Sequence, residues 1–204
     1  MSKYSLLKID DFTLEDHHYL SSEDNCFYFM EYRPSIQDDV MSIIMNFKKK
    51  IDRRGLPDFK YKIKETQKLA ELFKENIPEF EQSDTILVPI PPSKPKNHQL
   101  YDSRVYDLLN FFCAGRENTD LRDLISVKED LQPSHSATSR PSPDDIYSNL
   151  IIDKQMCEVK KNKIILVDDV ITTGAHFVAC KKLLKEMFPE SEISGIFIAR
   201  RVHN

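Results

Sequence analysis

Lys163-Ile164-Ile165-Leu166-Val167-Asp168-Asp169-Val170-Ile171-Thr172-Thr173-Gly174 is the stretch on which the fold turns. Its first five residues form a short apolar run of the kind found in strands buried on both faces, and the run leads straight into two acids and a Thr-Thr-Gly turn. Beyond the glycine, Phe177, Cys180, Leu184 and Met187 recur at helical spacing, with Lys181, Lys182, Lys185 and Glu186 on the opposite face. Ile193 to Ala199 closes the unit as a second apolar strand. Strand, turn, helix and strand make one β-α-β unit, which requires a parallel sheet with helices packed on its faces.

Working outward, Thr85 to Ile90 reads as another buried strand, with Pro89 pushed toward its end because proline donates no ladder hydrogen bond. Pro91 to Ser103 is a polar, proline-rich loop, and Arg104 to Phe112 is a helix facing inward through Val105, Leu108, Leu109 and Phe112. Leu124 to Val127 suits a short strand. Lys128 to Asp145 has hardly an apolar residue and reads as a loop. Toward the N-terminus, Cys26 to Tyr32 has the aromatic content of a strand. Ser35 and Asp38 stand at the capping-box interval before a helix marked by Val40, Ile44, Phe47 and Ile51. That helix ends in Lys48-Lys49-Lys50, where cations complement the carboxyl end of the helix dipole. A second helix is expected over Lys64 to Ile77.

The chain has 204 residues, enough for one ordinary core, and 40% of them are apolar. No apolar run approaches the ~20 residues of a membrane span and Met1 to Phe12 lacks a signal-like stretch, so a cytoplasmic protein with no membrane partner is expected. Cys26, Cys113, Cys157 and Cys180 lie far apart and read as reduced thiols rather than a zinc site. A net charge of −4 argues against a nucleic-acid binder, although Lys48 to Lys68 gathers nine basic residues against Asp52, Asp58 and Glu65. With only Phe59 and Tyr61 available for stacking, this stretch reads first as a solvated surface. Four glycines leave no room for a dinucleotide or Walker loop, so any phosphate cradle must work with one glycine.

Thr172, Thr173 and Gly174 supply that cradle. They open a helix at a strand's carboxyl end, where N–H groups await an acceptor and a phosphate dianion would be held. Asp168 and Asp169 are acceptors suited to the hydroxyls of a ribose whose 5-phosphate sits on the turn, and to hydrated Mg²⁺. Lys94, Lys96 and Arg104 suit a pyrophosphate, and Arg140 lies where a polar segment would fold over the ligand. His135 in the same segment is read as an exposed loop residue.

Ile164 through Ala175 closely resembles the phosphoribosyl-pyrophosphate signature of type I phosphoribosyltransferases, unbroken over twelve positions. It departs at the thirteenth, where that family carries Thr and this chain His176. The strand Ile86-Leu87-Val88-Pro89-Ile90 with Pro91-Pro92-Ser93, followed by Arg140 and Asn149, resembles the competence-associated, amidophosphoribosyltransferase-like branch. Asn97-His98-Gln99-Leu100-Tyr101 replaces that branch's arginine-glycine-phenylalanine-asparagine string, and its N-terminal cysteine cluster is missing.

The resemblance covers about residues 85–201 and implies a parallel-sheet α/β core over 81–204, with four or five strands and helices on both faces. Residues 1–80 would form a small N-terminal hood and helical segment over the strand carboxyl ends. It implies a catalytic and metal-holding pair at Asp168 and Asp169 and phosphate contacts from Thr172, Thr173, Gly174, Ala175 and His176. A pyrophosphate loop at Pro91, Pro92, Ser93 and Lys94 and a flexible loop carrying Arg140 complete the set. The implied ligand is 5-phosphoribosyl 1-pyrophosphate or a phosphoribosyl nucleotide, with Mg²⁺ as cofactor, and a homodimer is left open. Two classes of function follow: transfer of phosphoribosyl to a nitrogen nucleophile, or a non-catalytic module that senses a nucleotide or phosphoribose and acts on nucleic acid or a partner protein.

Overall fold

The computed structural model describes residues 3–77, 84–130 and 141–203. In chain order its elements are β1 (Leu7–Lys8), β2 (Cys26–Tyr32), α1 (Asp39–Phe47), α2 (Lys60–Asn76), β3 (Thr85–Pro89), α3 (Arg104–Cys113), β4 (Ile125–Val127), α4 (Pro143–Ser148), β5 (Leu150–Ile152), β6 (Lys163–Ile171), α5 (Ala175–Met187) and β7 (Glu192–Arg201). Five strands form a mostly parallel mixed sheet in the order β1-β2-β7-β6-β3, with only β1 antiparallel to its neighbour. β6 lies between β3 and β7, Leu166 facing Val88 on one side and Gly195 on the other. β2 and its helices belong to this same sheet and its layers.

Alternation along the central strands sends side chains to two cores. Ile164 and Leu166 of β6 join Ile86 and Val88 of β3 and Phe177, Cys180 and Leu184 of α5 on one face. Val167, Leu87, Ile196 and Ile198 face the other way, against Phe47, Leu69, Phe73, Leu108 and Phe112 of α1, α2 and α3. Phe73 sits at the centre of that second core, 4.9 Å from the Phe29 ring and 6.2 Å from Phe112. Each such buried aromatic or aliphatic side chain stabilises the fold by about 1.5–3 kcal/mol before entropy is counted. The carboxyl ends of β3 and β6 are thereby held rigidly side by side, which fixes the ground on which a site is built.

Several boundaries differ from the sequence reading. α1 is capped by Asp38, whose Oδ1 accepts the Met41 N–H at 2.8 Å, so the cap lies three residues after Ser35 and the helix ends before Ile51. α2 begins at Lys60, a turn early, because a 3₁₀ turn over Pro57–Phe59 runs directly into it. The strand read at Leu124 to Val127 lies outside the main sheet: β4 pairs antiparallel with β5. The end of the polar segment is not loop but α4, started by a capping box between Ser142 and Asp145 and anchored by buried Ile146. β6 continues through Ile171, which places the acid pair inside the strand rather than beyond it. Arg140 and His135 lie outside the described residues. Cys26, Cys157 and Cys180 are buried free thiols. No helix among the described residues is long and apolar enough to cross a membrane.

Candidate functional site

At the carboxyl end of β6 the chain turns through Thr172 and Thr173 into Gly174, the N-cap of α5, at φ 84°. That left-handed conformation favours glycine, and a side chain would also collide with Leu20, whose Cγ and Cδ2 lie 2.8 Å from where a Cβ would stand. The turn's carbonyls are engaged by the N-terminal segment. Tyr19 donates its N–H to the Thr173 carbonyl at 2.8 Å, and the His17 Nδ1–H donates to the Thr172 carbonyl. With those carbonyls tied back, the unpaired N–H groups of the first turn of α5 are what the turn offers to a ligand.

Asp168 and Asp169 point to different surroundings, as neighbours on a strand must. Asp169 is buried, and its two oxygens are fully used. Oδ1 accepts the Lys48 ammonium at 2.8 Å and the Val170 N–H at 2.7 Å. Oδ2 accepts Nε of Arg104 at 2.7 Å, with the neighbouring guanidinium nitrogen at 2.7 Å as well. Burial alone would raise the Asp169 pKa, but Arg104 and Lys48 outweigh it and hold the carboxyl below its usual range. Asp168 is half-buried, and only its Oδ1 is engaged, by the Asp169 N–H at 2.7 Å. Burial, and then the charge of Asp169, push its pKa up to about 7.

The cations on Asp169 are braced from behind. Arg104 also pairs with Asp102 at 2.9 Å, and Asp102 accepts the buried Lys62 ammonium at 2.9 Å. Lys62 donates further to the carbonyls of Phe47 and Lys49, at 3.0 and 2.9 Å, on either side of Lys48. The network therefore closes on itself: Lys48, Asp169, Arg104, Asp102, Lys62 and back to the end of α1.

A cleft of about 250 Å³ opens over this network, lined by Asp168, Asp169, Thr172, Gly174, Ala175 and His176 on one wall and by Pro91, Pro92, Ser93, Lys48 and Arg104 on the other. The structure thus brings together most residues read from the sequence, and adds Lys48. Lys94 lies in an adjoining lobe of about 280 Å³ with Lys50, and pairs with Asp130 at 2.6 Å. Lys96 turns to Asp123 at 2.6 Å. Thr173 is half-buried and does not line the cleft. His176 is exposed, yet the atoms packed around it lower its pKa, Asp169 pulls the other way and Lys48 adds to the lowering. All described peptide bonds are trans, those at Pro91 and Pro92 included.

Within the basic stretch Lys48 to Lys68, charges are spread over separate pairs: Lys48 with Asp169, Lys49 and Arg53 with Asp58, Lys62 with Asp102 and Lys68 with Glu65. Lys48, Lys62, Asp102 and His17 are the site residues that sequence reasoning missed. Lys48 had looked like a dipole-complementing helix end, and Lys62 like one more solvated lysine.

The residues offer a divalent cation little. A carboxylate has about four acceptor positions, and three of those of Asp169 accept hydrogen bonds, from Lys48, Arg104 and the Val170 amide, with a second Arg104 nitrogen in ion-pair contact. Of the pair, only Asp168 keeps an oxygen with no partner among the described residues. No protein-family model matches the chain, and a search of curated proteins finds no match.

Proposed function

We propose that the chain is a phosphoribosyltransferase-like protein with the type I fold, which binds 5-phosphoribosyl 1-pyrophosphate or a phosphoribosyl nucleotide and transfers phosphoribosyl to a nitrogen nucleophile, releasing pyrophosphate. One observation carries the reading. The open carboxylate of Asp168, the Gly174 turn with its carbonyls tied back and the cations Lys48 and Arg104 all line a single cleft at the end of a parallel strand. A ligand with a phosphate at one end, hydroxyls in the middle and a polyanion at the other matches that order. The 5-phosphate rests on the amides that open α5, Asp168 accepts a ribose hydroxyl, and the pyrophosphate lies toward Lys48, Arg104 and the Pro91-Pro92-Ser93 loop. Catalysis would then consist of positioning the anomeric carbon and stabilising charge on the leaving pyrophosphate.

The engagement of Asp169 by protein cations favours a second reading, in which the same cleft senses a nucleotide or phosphoribose without chemistry and acts on nucleic acid or a partner protein. Isothermal titration with 5-phosphoribosyl 1-pyrophosphate and ribose 5-phosphate tests what both readings share. Binding should raise apparent stability by about 2.7 kcal/mol at a hundredfold excess over Kd, and a folded protein that takes up neither ligand rejects both. Pyrophosphate release in the presence of a panel of amines and bases then separates enzyme from sensor.

A further inference from the structure

We propose that the Lys48 ammonium and the Arg104 guanidinium take the place of a divalent cation at the acid pair, so that this cleft receives its polyanionic ligand without Mg²⁺ bound to Asp169. The inference rests on the reading of the ligand as a phosphorylated, pyrophosphorylated ribose, and it departs from the metal that the sequence resemblance implies.

The Asp169 side chain is about 5% exposed, and each of its oxygens lies within 2.8 Å of a cationic nitrogen. A metal ion could reach it only by expelling Lys48 or Arg104, and would then sit beside the cation it displaced. Expelling Arg104 would also strip Asp102 of one of its two cationic partners. Lys48 is the easier to move, since its side chain is 41% exposed and it hangs from the end of α1 over the cleft. Such a lysine has a long, flexible stem and a compact charge, and can stay in contact with Asp169 while turning an N–H toward an arriving anion. Arg104, a planar fork fixed on two carboxylates, holds its charge in place. The adjoining lobe adds Lys50 and Lys94, with Asp52 and Asp102 in the same lining and Lys94 paired to Asp130. Cationic side chains for a pyrophosphate to meet are therefore already present at the cleft in Lys48 and Arg104.

Two measurements decide it. In the first, Mn²⁺ is titrated into the ligand-free protein and read by electron paramagnetic resonance. The parent should show no site attributable to the acid pair, whereas Lys48→Met, which uncovers Asp169 Oδ1, should bind Mn²⁺ at least about tenfold more tightly. A Mn²⁺ site in the parent that disappears in Asp169→Asn overturns the proposal. In the second, calorimetry compares binding of 5-phosphoribosyl 1-pyrophosphate in EDTA and in excess Mg²⁺. The parent should differ by no more than about threefold between them, and Lys48→Met should lose about tenfold or more in EDTA while Lys48→Arg retains most of the affinity. Strict dependence of the parent on Mg²⁺ overturns the proposal and leaves the ligand reading standing. Absence of binding in both media rejects the ligand reading, and the Mn²⁺ titration still decides the question of the metal. Circular dichroism of the variants establishes that they are folded.

Discussion

The fully buried ring of His17 donates a hydrogen bond to the carbonyl of Thr172, 155 residues further along the chain. Its other nitrogen, Nε2, is buried with no partner, and Arg200 is among the charges acting on the ring. Burial, only partly opposed by the bond to Thr172 and reinforced by Arg200, lowers the His17 pKa, so the folded protein holds this histidine neutral. The unfolded chain takes up a proton near the ordinary value of about 6.5 and the native state only at lower pH. Stability from this residue is therefore complete above that pH and is lost as pH falls below it. Urea denaturation from pH 8 to 5 should show that loss in the parent, and His17→Gln should remove the part of the slope due to this ring. Equal slopes for the two proteins would show that His17 takes up its proton alike in the folded and unfolded chain.

Lys62 is expected to matter for stability out of proportion to its distance from the ligand. Lys62→Met removes the ammonium from Asp102 and from the Phe47 and Lys49 carbonyls at once, a loss of about 3–5 kcal/mol if the buried partners stay unpaired. Combining it with Asp102→Leu should cost less than the sum of the two single changes, because residues of one network do not act independently. Strict additivity in chemical denaturation would mean that Lys62 and Asp102 act separately.

Asp168 and Asp169 should respond oppositely to neutralisation. Asp169→Asn leaves two cations without their carboxylate and should destabilise the protein. Asp168→Asn relieves both burial of a charge and repulsion from Asp169. The Asp168 pKa is raised to about 7, so its carboxylate costs stability above that pH, and the cost fades as pH falls toward the ordinary value near 3.9. The variant should thus be more stable than the parent at pH 8 and equal to it near pH 4, while binding ligand more weakly. Thermal melts over this range, read beside calorimetry, check both halves.

The core of the fold was legible because β6 and α5 follow one another and each carries its own periodicity, apolar residues in a run at Ile164 to Val167 and at helical spacing from Phe177 to Leu184. The same locality made Thr172 to Gly174 readable as a turn. Lys48 was not readable, since its partner lies 121 residues away and nothing in Lys48-Lys49-Lys50 marks one lysine from the next. β4 and β5 are three residues each, too short for alternation to register. α4 buries one residue, Ile146, and only its capping box distinguished it from loop.

The strand order has a consequence for the making of the protein. β7 is synthesised after every other strand of the sheet and is inserted between β2 and β6. On a growing chain, β3 and β6 can pair as soon as both have emerged, but β1 and β2 have no strand to hydrogen-bond to in that pair until β7 is in place. The N-terminal strap, which fastens the Thr172 and Thr173 carbonyls, is brought to its place by β2. The ladder that joins β2, which carries the strap, to β6, which carries the turn, is therefore complete only once Glu192–Arg201 has emerged.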